Sequence, residues 1–120
     1  MNALEMSNLI GANARRAVME NQIAMARSRF EELLLVGYAG GLFEASDSTI
    51  AGITIKSQRS EGWGIAVIDK SGIPIYIAFD KVNEFLTILS EANAMAHRQY
   101  LMEYTEIINA TKREMIEGDL

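Results

Sequence analysis

The sequence predicts an α+β protein: a long N-terminal helix, a small antiparallel β-meander of about three strands, and a long C-terminal helix. Three observations carry that expectation. Residues 7–36 contain no Pro and one Gly, and residues 81–117 contain neither, so helix breakers are almost absent from both stretches. The segment between them changes period and fills with β-branched and aromatic residues. Glycines and a DKSG turn punctuate that middle segment, where the flanking stretches have almost none.

In the first stretch Met19, Ile23, Ala26, Phe30 and Leu33 recur at three- and four-residue steps, which predicts an amphipathic helix. At 1.5 Å per residue it runs roughly 45 Å, enough to reach beyond a small domain and pack on another subunit. LLLVGYAGGLF follows: Gly37 suits a helix C-cap, and Gly40 with Gly41 suits a sharp turn. Three strands are then expected at about 49–57, 63–69 and 73–80, the last two joined by the tight turn Asp69-Lys70-Ser71-Gly72. Pro74 cannot donate to a ladder, so the final strand is expected at an edge or bulged. IPIYIAF is apolar on both faces, which points to a covering layer on each side.

Asp80 is placed as an N-cap for the second helix. Along that helix Val82, Leu86, Leu89, Asn93, Ala96, Tyr100, Tyr104, Ile107, Thr111 and Met115 fall on one face. With no repeat, low-complexity tract or linker, residues 1–120 are expected to form a single domain. Two long helices on so small a sheet leave more apolar face than one protomer can cover, so a homo-oligomer, dimer or higher, is expected.

Composition narrows the function. The formal net charge is −5 and the pI about 4.8, which argues against duplex nucleic acid as a partner. Residues 81–120 carry four basic and seven acidic side chains, so the acidity gathers toward the C-terminal end. Cysteine is absent, which removes disulfides and thiolate metal sites. No apolar run approaches the length of a membrane span. MNALEMSNLIGANARR places its arginines after its apolar residues, unlike a secretion signal, and the cytoplasm, a bacterial host's included, is the expected location.

Catalytic chemistry finds little support. His97, the only imidazole, lacks an orienting acid and a nucleophile at suitable spacing, and reads as a surface or interface residue. GYAGGLF has neither the length nor the lysine of a phosphate loop, and no serine sits in a nucleophile-elbow pattern. Glu31-Glu32, Glu103-Glu106 and Glu114-Glu117-Asp119 fit solvated helix faces better than an acid pair or a hard-metal cage. The chain is thus expected to be no enzyme and to need no metal or cofactor.

Three features suit binding. Lys56-Ser57-Gln58-Arg59-Ser60-Glu61-Gly62-Trp63-Gly64 is either a polar hairpin loop or a small cationic mouth, Lys56 and Arg59 beside the ring of Trp63, with the residue types that hold a nucleotide-like anion. Asn93 interrupts an apolar stripe, so its amide either bonds a neighbouring carbonyl or faces a pocket and reads a base or ribose. Arg113, beside Lys112, either favours the helix C-terminus or supplies a further cation from an adjacent protomer.

A helix, a small meander carrying Arg59, a helix with Asn93 on its inner face, and Lys112-Arg113 late in that helix together resemble the phage Thoeris anti-defence protein 1 family. The resemblance covers most of the chain in layout and matches no diagnostic motif. It implies a viral, non-catalytic protein that sequesters a small nucleotide immune signal of the cyclic ADP-ribose type, in oligomers, to block host defence. It also implies that Arg59 and Arg113 meet phosphates, that Phe85 or Phe79 stacks on the base, and that Asn93 binds base or ribose. The competing expectation is a structural or assembly protein of a phage or bacterium, acting through helix-mediated oligomerisation.

Overall fold

A computed structural model describes residues 2–118, with side chains through residue 114. In chain order it holds α1 (Ala3–Leu33), β1 (Leu35–Tyr38), β2 (Gly41–Glu44), α2 (Asp47–Arg59), β3 (Ile65–Ile68), β4 (Pro74–Ile77), a single 3-10 turn (Phe79–Lys81) and α3 (Val82–Gly118). The α+β class and both long helices are as the sequence predicts. The middle differs: two separate antiparallel hairpins, β1-β2 and β3-β4, flank a helix, in place of one three-stranded meander.

The chain forms two compact units. A helical unit contains Met1–Arg29 and Gln99–Leu120, and a mixed unit contains Phe30–Arg98. In the helical unit Met19, Ile23 and Ala26 turn inward, with Tyr100, Ile107 and Thr111 doing so on α3. Arg29 donates from Nε to Glu103 Oε1 at 2.9 Å, an ion pair half covered by its surroundings. The Met115 side chain expected on this stripe lies outside the described residues, as do the Glu117 side chain and Asp119.

The mixed unit holds the core. Phe43, Phe85, Ile77 and Leu89 are its largest fully buried side chains, contributed by β2, α3 and β4. Tyr38 stacks on Phe85 at 4.7 Å and Phe43 meets it edge-on at 4.8 Å. Ala39 and Gly40, at φ 51° and 83°, make the tight β1-β2 turn in the left-handed region such hairpins require. Gly40 therefore serves the turn its sequence suggests. Gly37 does not cap α1: the helix stops at Leu33, and Gly37 sits inside β1 opposite Leu42.

The expected strand 49–57 is a helix, and the reasons are local. Ser46 accepts the Thr49 N–H at 3.2 Å as N-cap, Asp47 lies in the first turn, and Lys56 and Arg59 lie in the last, all in the polarity a helix dipole favours. Ile50, Ile53 and Ser57 then turn toward the core at helical spacing while Ile55 points outward. Capping and a three-to-four period outweigh the β-branched content.

The Asp69–Gly72 hairpin turn is as expected. Asp69 Oδ1 accepts the backbone N–H of Ser71 and Ile73, and Oδ2 accepts that of Leu42, tying the turn to β2. Lys70 N–H donates to the Leu42 carbonyl at 2.7 Å and reinforces the link. These hydrogen bonds hold the Asp69 carboxyl below its usual value of 3.8, Ile73 contributing most. Pro74 opens β4, where its missing donor costs least. Asp80, expected as an N-cap, falls inside the 3-10 turn, and α3 begins at Val82.

Candidate functional site

The run KSQRSEGWG is not a loop between strands. Lys56 to Arg59 complete α2, Ser60 caps it by donating its N–H and Oγ to the Ser57 carbonyl, and Glu61 and Gly62 turn the chain at φ 53° and 90°. Trp63 follows, 77% exposed, its N–H bonded to the Ser60 carbonyl at 3.0 Å. Lys56 reaches across to β3 and donates from Nζ to the Ala66 carbonyl at 3.1 Å, which uses its charge to steady the strand edge. Arg59 is exposed at the helix end.

The remaining candidates are spread out. Phe85 is fully buried, and its ring already packs against Tyr38 and Phe43. Phe79 stands exposed on the 3-10 turn. Asn93 donates from Nδ2 to the Ala45 carbonyl at 2.9 Å and to Asp47 Oδ1 at 3.0 Å, so both amide hydrogens clamp the start of α2 to α3. Arg113 belongs to the helical unit, whereas Lys56, Arg59, Trp63, Phe79, Phe85 and Asn93 all belong to the mixed unit. His97 is exposed, as a surface residue would be; it meets Phe30 edge-on at 4.9 Å and bonds through Nδ1 with the Asn93 carbonyl.

Concave surface occurs elsewhere. In the helical unit a groove of about 390 Å³ is lined by Ala12, Arg15, Arg16 and Met19 of α1 and by Ile108, Thr111 and Lys112 of α3. Arg16 shares its charge with Glu20 at 3.2 Å. A second hollow of about 310 Å³ lies in the mixed unit, where Tyr38 donates its hydroxyl to Glu84 at 2.9 Å. Burial and the Glu84 carboxylate push the Tyr38 phenol above its usual 10.0. Sequence reasoning did not single out Arg15 and Arg16; an arginine doublet one turn before the buried-face Met19 was the available signal.

Apolar exposure is the more extensive feature. In the mixed unit Ile68 and Tyr76 point away from the core on the β3-β4 hairpin, with Trp63 and Phe79 also exposed. Tyr76 lies directly over Gly64, where a Cβ would fall within 2.5 Å of its ring. In the helical unit Leu4, Ile10, Val18, Met25, Leu101 and Met102 are exposed. Among the described residues no three His, Asp or Glu side chains gather as a metal cluster, and no helix is long and apolar enough to cross a membrane. No family model, no curated protein and no solved structure matches this chain.

Proposed function

We propose that this is a non-catalytic protein that works by association, a structural or assembly module whose helices bring copies together. The observation that carries the reading is α1, which is apolar on two sides. Met19, Ile23 and Ala26 face inward, yet Leu4, Ile10, Val18 and Met25 stand on the outside with more than half of their surface in water. A helix that exposes large apolar side chains besides those it turns inward has surface for a second neighbour.

A second reading, sequestration of a small nucleotide-type anion as the family resemblance implies, draws support from the apolar groove lined also by Arg15, Arg16 and Lys112, and from the exposure of Arg59 and Trp63. One pair of experiments separates the two. Sedimentation velocity over a concentration series should show self-association, and a thermal-shift screen with cyclic ADP-ribose isomers and cyclic oligonucleotides should show no shift. A monomer at every concentration, together with a nucleotide shift lost in Arg15→Ala or Arg59→Ala, would replace assembly with sequestration.

A further inference from the structure

We infer that the outer face of α1 pairs with the same face of a second copy in an antiparallel two-fold arrangement, an inference that rests on the assembly reading. Leu4, Gly11, Val18 and Met25 recur every seven residues, and Ser7, Ala14, Asn21 and Ser28 recur every seven between them. The four- and three-residue steps are those of a helix-pair seam, here with large apolar side chains at Leu4, Val18 and Met25 and small or polar ones between them. Ile10, Ala17 and Ala24 widen it along one flank. None of these eleven residues is charged: Arg15 stands at the flank of the seam, and α1 carries Glu5, Arg16, Glu20 and Arg27 on its other sides. The seam is open in the protomer: Leu4 is 70% exposed and Val18 57%.

The order of sizes along the seam decides the orientation. A parallel, in-register pair would set Leu4 on Leu4, Gly11 on Gly11 and Val18 on Val18, making thick and thin layers by turns. An antiparallel pair centred near residue 16 sets Leu4 against Ser28, Ser7 against Met25, Gly11 against Asn21, and Ala14 against Val18. Every layer then joins a large side chain to a small one, so the helix axes keep one spacing along the whole contact. Such self-complementarity is what an isologous two-fold interface requires. Asn21 fits this seam as a register-setting polar residue, its amide resting on Met25 Sδ within its own helix at 3.9 Å.

Area sets the strength. Residues 4–28 span about 38 Å, and with the helix width of about 10 Å the footprint is roughly 400 Å² per copy. That is about half of a standard interface of roughly 800 Å² per partner, so the dimer is of the weak, concentration-dependent class. Arg15 flanks the centre of the seam and meets its own copy there, with its guanidinium lying back along Gly11.

Cysteine pairing tests the arrangement directly, because the chain has no cysteine of its own. Leu4→Cys and Ser28→Cys proteins, mixed and oxidised gently, should form the mixed 4–28 disulfide in preference to either homodimer. Val18→Glu should weaken dimerisation by at least about tenfold, since it buries a charge in the central layer. Asn13→Glu, off the seam, should leave it unchanged, and circular dichroism confirms that each variant remains helical. A preference for the disulfide homodimer of the Leu4→Cys protein would overturn the antiparallel order. An oligomer indifferent to Val18→Glu would overturn the pairing while leaving assembly through another face intact, and a wild-type protein that stays monomeric throughout would remove both.

Discussion

Asn93 offers the sharpest test of how the mixed unit is held together. Read as a polar interruption of an apolar stripe, it invites replacement by leucine, which by that logic would stabilise the protein. The structure predicts the reverse. Asn93→Leu removes the donor to the Ala45 carbonyl, on a residue that is fully buried, and an orphaned buried carbonyl costs about 1–3 kcal/mol. The second bond, to Asp47 Oδ1, is more exposed and adds about 0.5–1 kcal/mol. The extra apolar burial of leucine offsets part of this, leaving a net loss of about 2 kcal/mol. For a chain of this size that lowers the thermal midpoint by roughly 6–10 °C. Calorimetry or circular dichroism melts measure it, and an Asp47→Ala double-mutant cycle should recover a coupling of about 0.5–1 kcal/mol. Asn93→Asp sharpens the point, since a carboxylate there faces both a carbonyl and Asp47, and its penalty should be larger at neutral pH than near pH 4. An Asn93→Leu midpoint at or above wild type would refute the clamp.

Other consequences follow from particular contacts. Gly41→Ala would drive its Cβ to 2.8 Å from Ile75 Cγ1 and 3.0 Å from the buried Phe43 ring, a loss of about 1–3 kcal/mol in a denaturant titration. Arg59 is exposed at the end of α2, so Arg59→Ala should change stability by less than about 0.5 kcal/mol; under the assembly reading it also leaves the sedimentation profile unaltered. The carboxyls of Asp69 and Glu103 both lie below their ordinary values of 3.8 and 4.5, Asp69 through backbone N–H groups and Glu103 through Arg29 and then Gln99. Groups lowered by folding stabilise the protein fully above those values and lose that contribution as pH falls through the folded ones. Stability should therefore drop below about pH 4.5, with a shallower acid limb in Asp69→Asn and Arg29→Ala melts. Arg15→Gln relieves the like-charge contact at the α1 seam and should strengthen dimerisation, and added salt should do the same in the wild type, as sedimentation would show.

Much of this fold was legible in the sequence, and the parts that were not have physical reasons. The long helices were visible because tens of residues without breakers held one period, and Met19, Ile23, Ala26 and Leu89 do face inward. The β3-β4 turn was visible because Asp69 and Gly72 are chemically suited to one conformation. The segment 47–59 misled through its isoleucines and threonines, whose strand preference is weaker than a serine cap, an acidic first turn and a basic last one. Phe85 was expected to stack on a ligand, yet aromatic residues supply core and site alike, and only tertiary packing shows that its ring is enclosed by Tyr38 and Phe43. Asn93 stood out correctly as a polar residue with a task. That task, two hydrogen bonds to residues 46 and 48 positions away, depends on a chain path that spacing does not reveal.

Sedimentation velocity of the wild-type protein from low micromolar to near-millimolar concentration, with Val18→Glu run beside it, tests the central claim most directly. A wild-type boundary that moves from monomer toward dimer as concentration rises, and a Val18→Glu boundary that stays monomeric, is the predicted result. A wild-type chain that sediments as a monomer across the whole range would contradict it.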